Sequence, residues 1–168
     1  MLHAGLTSTI SLREILLAGV SVFVFVQMAS AATWYVATNG TGNGAGNWEN
    51  ATNSIQGAID ASAADDTVLV SNGVYQTGGI TNYPTGDILT NRVAIWKRIT
   101  LRSANNDPTN TIIKGNWNPA TTNGPAAVRC VYMTNGASLI GFTVTNGVTC
   151  QAKAWSRGIF RDTLCRAA

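Results

Sequence analysis

The chain has 168 residues, enough for one domain or part of one, and 45% hydrophobic against 11% charged residues excludes disorder driven by charge. Its formal charge of +3 is unevenly placed. Residues 32–150 carry six basic and six acidic side chains, while Lys153, Arg157, Arg161 and Arg166 face only Asp162 in the tail, so a basic nucleic-acid-binding body is excluded.

Residues 1–31 have the pattern of a signal peptide. Arg13 precedes an apolar run from Ile15 to Val26, and Ala29-Ser30-Ala31 places small residues where a signal peptidase reads. The run is about a dozen residues, whereas a membrane span needs roughly 20. The mature chain is expected to begin near Ala32, to be secreted or held at the cell surface, and to contain no membrane span.

Trp34-Tyr35-Val36 reads as a short strand, followed by a Gly/Asn-rich loop that Trp48 closes. Asn53 to Ser62 is the one helix expected in the mature body. Asn53 or Ser54 suits the N-cap, and Ile55, Ala58 and Ile59 form one apolar stripe. Asp65-Asp66 reads as a turn, with a calcium site or acid pair as the alternative. Strands are expected at Thr67–Val70 and Val74-Tyr75, and a loop from Gly78 to Arg92. In Arg98-Ile99-Thr100-Leu101-Arg102 the alternation sends Ile99 and Leu101 to one side. Further strands are expected at Thr111–Lys114, Val128–Met133 and Ser138–Val144.

Asn-Gly pairs at Asn72, Asn135 and Asn146 end these strands, and both residue types tolerate the left-handed backbone of a sharp corner. The runs Val68-Leu69-Val70, Ile112-Ile113 and Leu139-Ile140 are expected to be buried. Strands that bend and carry on, rather than reverse, stack into a solenoid with parallel pairing. The interval from Asn72 to Asn135 would hold three rungs of about 21 residues. The helix before the first strong strand stands where a solenoid needs a cap.

Tyr35-Val36, the loop Gly40 to Gly46, Ile55-Gln56-Gly57-Ala58-Ile59-Asp60-Ala61 and Asp66-Thr67-Val68-Leu69-Val70-Ser71-Asn72-Gly73-Val74-Tyr75 together resemble the opening of exported bacterial right-handed parallel β-helix proteins of pectin-lyase-like fold. Asp65 stands where that pattern has Gly. The resemblance spans roughly residues 34 to 149. It implies an all-β, right-handed parallel β-helix with an N-terminal capping helix, incomplete at the C-terminus, with rungs over 32–149. Residues 150–168 lack Asn-Gly corners and strand alternation. They read as a truncated or out-of-frame end, with a short C-terminal cap as the alternative.

The only His is His3, in the leader, so the mature part holds no Ser-His-Asp, Cys-His or His-containing zinc site. No phosphate-binding glycine loop is present. The cysteines, Cys130, Cys150 and Cys165, are odd in number; Cys130 reads as a small core residue. No catalytic residues, metal ligands or cofactor are assigned. The candidate contacts for an extracellular polysaccharide are Trp96, Trp117, Arg98, Arg102 and Lys114. The tryptophans suit sugar stacking or packing, and the cations an outward basic stripe or ordinary solvated strand positions. The expected function is adhesion or carbohydrate contact without catalysis. The alternative is the N-terminal part of a polysaccharide lyase or epimerase-like enzyme, with calcium having a place only in a lyase; a fragment without independent function is a third.

Overall fold

The computed structural model describes residues 30–120, 122–124 and 126–148. The apolar stretch expected to be a signal peptide and the tail 150–168, with Cys150 and Cys165, lie among residues 1–29 and 149–168, outside the described residues. Over the described residues the protein is mostly β, with parallel sheets and one α-helix. No described helix is long and apolar enough to cross a membrane.

The strands are β1 (Thr33–Val36), β2 (Thr67–Val70), β3 (Gly73–Tyr75), β4 (Thr90–Ile95), β5 (Thr100–Ser103), β6 (Thr111–Lys114), β7 (Val128–Met133), β8 (Ser138–Ile140) and β9 (Thr143–Thr145). They form a first sheet β1-β2-β5-β8, a second sheet β3-β6-β9 and a third sheet β4-β7. Every pair of named strands runs parallel. From β2 onward the chain visits the first, second and third sheets in order, twice, and then the first two again.

Alternation along each strand decides which side chains meet. In the first sheet the register stacks Trp34, Val68, Leu101 and Leu139. Val68 and Leu101 are fully buried, and Trp34 and Leu139 pack against the same core. Val36, Val70 and Ser103 form a second buried file. The intervening files, Thr33–Thr67–Thr100–Ser138 and Tyr35–Leu69–Arg102–Ile140, are the more exposed ones. Two expectations are corrected here. Leu69 and Ile112 are only half-buried and Ile140 is exposed, because each sheet presents one face to the core. Partners in register lie 31 (Ile112 and Thr143) to 38 (Leu101 and Leu139) residues apart, not about 21. The Asn-Gly pairs belong to different junctions: β2 to β3, β7 to β8, and beyond β9. Their separation is therefore no period. Each does supply a positive φ, at Gly73, Gly136 and Asn146.

The helix α1 (Ile55–Ala61) is capped by Ser54, whose side chain accepts from the Gly57 N–H. At its end the Ser62 N–H returns to Ala58 and Ile59. Seven residues are too few for an isolated helix in water. Burial of Ile55, Ala58 and Ile59 supplies what propensity lacks, roughly 1.5–3 kcal/mol for each isoleucine. The helix meets β1, β2 and β4.

The two aspartates before β2 have separate structural tasks. Asp65 adopts a positive φ and pairs with Arg98 at the surface. Asp66 is buried and accepts from Ala32 N–H at 2.7 Å, Ala63 N–H at 2.8 Å and the Trp34 indole at 3.0 Å. Burial pushes its carboxyl up, but the hydrogen bonds and the Lys97 charge outweigh this and hold it below the ordinary value. Cys130 is fully buried, and its Sγ donates to the Thr145 carbonyl.

Candidate functional site

Trp96 follows β4 directly and is 41% exposed. Its indole N–H donates to Asp60 of α1 at 3.1 Å, which fixes the ring against the helix. Lys97 Nζ stands 4.2 Å from the ring centroid and is itself held by the Ser62 and Asp60 carbonyls. Tyr83 lies nearly parallel to Trp96, with centroids 6.5 Å apart at 21°. Tyr132 of β7 continues the group, 5.8 Å from Tyr83.

Tyr83 comes from the loop between β3 and β4, which its backbone ties to the third sheet. Asn91 Nδ2 donates to the Tyr83 carbonyl at 3.0 Å and Arg129 Nη2 at 2.9 Å. The same Arg129 nitrogen pairs with Asp87 at 2.9 Å. Asn91 and Arg129 are partners in register on β4 and β7, so parallel pairing brings both donors to one carbonyl. The aromatic group thus rests on a braced loop.

A cleft of about 720 Å³ adjoins it, lined by α1, β3 and the start of the same loop. Asp60 belongs to both: it lines the cleft and holds Trp96. Arg92 also lines the cleft but is 8% exposed. Its Nε donates to the Lys114 carbonyl at 2.8 Å and its Nη1 to the Gly78 carbonyl. Among the described residues it pairs with no carboxylate. Burial pulls its guanidinium down from the ordinary value, and the Cys130 sulfur works against that shift.

No protein-family model, curated protein or solved structure matches this chain.

The five residues singled out from the sequence do not gather in one place. Arg98 lies at the corner before β5, Arg102 on the exposed file of the first sheet, and Lys114 at the end of β6 in the second sheet. Arg98 and Arg102 therefore share no sheet with Lys114. Trp117 is 47% exposed on the segment after β6 and, among the described residues, meets no aromatic ring or cation. Trp96 alone stands in a built environment. Its companions Tyr83, Tyr132, Asp60 and Arg92 were not singled out. Only Asp60 left a local signal, four residues after Gln56 on the helix. Among the described residues no three His, Cys, Asp or Glu side chains converge as metal ligands would.

Proposed function

We propose that this protein is an exported, right-handed parallel β-helix that contacts an extracellular polysaccharide through Trp96 and Tyr83, without catalysing its cleavage. The cyclic order of sheet visits and the uniformly parallel register support the solenoid. Its hand follows from the near-universal right-handedness of parallel crossovers. Export rests on the leader pattern of residues 1–31.

The observation that carries the reading is the near-parallel Trp96–Tyr83 pair, exposed at the indole and braced behind by Asp60, Asn91 and Arg129. Pre-oriented aromatic rings offer flat apolar area to sugar rings with little side-chain entropy left to lose. The adjoining cleft adds polar groups of Asn53, Ser54, Gln56 and Asp60 beside the rings.

The mature chain applied to an array of neutral and uronate-containing polysaccharides tests this. Binding is expected, with about a tenfold loss in Trp96→Ala and little change in Trp117→Ala. Absence of binding to every glycan, or full binding by Trp96→Ala, would overturn the proposal.

A further inference from the structure

Asp66 is a carboxylate only 4% exposed; the Lys97 charge acts on it from a distance, but among the described residues no Lys or Arg forms an ion pair with it. A buried charge in that condition is costly unless a counter-charge or several hydrogen bonds compensate it. Its three donors are a neutral indole and two backbone nitrogens. One of those nitrogens is special. Ala32 N, 2.7 Å from Oδ1, directly follows Ala29-Ser30-Ala31, the small-residue motif read as a processing site. Ala32 is exposed, while its carbonyl is held by the Thr67 N–H at 2.9 Å. The carbonyl of the same residue is thereby tied to the start of β2, which places the nitrogen beside Asp66.

On the basis that residues 1–31 are a signal peptide, we infer that hydrolysis of the Ala31–Ala32 bond turns the Ala32 nitrogen into an ammonium group that ion-pairs with Asp66. Water adds across the peptide bond. Ala31 leaves with a carboxylate, and the Ala32 nitrogen keeps its electron pair and takes up protons, since an α-amine is mostly charged at neutral pH. The distance already present is that of a charge-assisted hydrogen bond. Processing then adds a unit of positive charge where the fold has placed a buried negative one, and the mature form is more stable than any form with a blocked or displaced amine.

Three forms of the chain separate the outcomes: one starting at Ala32, the same chain acetylated at its α-amine, and one retaining Ala31. The Ala32 form is expected to melt several degrees above both others. That advantage should vanish in Asp66→Asn. Should Asp66→Asn fail to fold, titration of the ¹⁵N-labelled Ala32 amine in the native sequence reads the same contact, with a pKa raised above the ordinary α-amine range of about 7.7–8.0. Equal melting of all three forms, or an unshifted amine, overturns the ion pair. N-terminal sequencing of protein recovered outside an exporting host tests the leader separately. A start other than Ala32 overturns the assigned processing bond, and retention inside the host overturns export, whatever the melting series shows.

Discussion

The side-chain amide of Gln56 pairs with both backbone groups of Ala94: its Oε1 accepts from the Ala94 N–H at 2.8 Å, and its Nε2 donates to the Ala94 carbonyl at 3.3 Å. A helical side chain thereby imitates at Ala94 a neighbouring strand, since β7 is the one named strand that pairs with β4. Unpaired strand edges invite association with other chains, and this edge is covered at Ala94 by Gln56 and at Asn91 by the Ile80 backbone, which exchanges two 2.8 Å hydrogen bonds with it.

Gln56→Ala is expected to cost about 1–3 kcal/mol, because it strands the N–H of fully buried Ala94. Chemical denaturation measures it. A change below a few tenths of a kcal/mol would mean the amide pair contributes nothing net.

Leu101 occupies the middle of the buried file Trp34–Val68–Leu101–Leu139. Leu101→Ala removes contacts to both adjacent strands and should destabilise by about 2–5 kcal/mol. Ile140→Ala, on the exposed file, should cost far less. Similar losses for the two would contradict the assignment of faces.

The lowered pKa of Asp66 has a definite sign in the pH profile. A carboxyl held below its unfolded value stabilises the fold at pH above that value, and this contribution is lost as pH falls toward the folded pKa. Acidification from pH 5 into the region below the ordinary value of 3.8 should therefore lower Tm. In Asp66→Asn the slope over that window should flatten. Parallel profiles for the two proteins would show that another group governs acid stability.

Arg129 braces the Tyr83 carbonyl and Asp87 from β7. Arg129→Met keeps length and apolar contact but removes one of the two donors to the Tyr83 carbonyl and leaves the half-buried Asp87 without its cation. It should weaken the proposed polysaccharide binding in the same direction as Trp96→Ala, with about 1–3 kcal/mol of lost stability. Trp96→Ala and Arg129→Met with opposite effects on the same glycan would separate the loop from the binding surface.

Features written in short-range pattern were legible from the residues. The stripe Ile55, Ala58 and Ile59, the cap at Ser54, the alternation of Ile99 and Leu101, and the positive φ beside Asn72 and Asn135 each need only a few neighbours. The period was not legible, because connections of unequal length, such as residues 76–89 and 104–110, separate equivalent strands. The expected loop over Gly78 to Arg92 ends earlier in the structure for a related reason. Thr90-Asn91-Arg92 carries no hydrophobic alternation, yet it forms β4 because β7 pairs with it. The site was the least legible part. Trp96, Asp60 and Tyr83 meet only after the sheets are assembled, so spacing along the chain holds no trace of their meeting.

The 31 to 38 residues between partners in register also bear on how fast the protein reaches its native state. No two adjacent strands are joined by a tight reversal, so no hairpin can zip locally as a starting point. Every strand pair requires a wide excursion of chain to close before any ladder hydrogen bond rewards it. Folding is accordingly expected to be slow for a chain of this size. The β1–β2–α1 region, where a short helix lies directly on the first strand pair, is the natural place for it to begin.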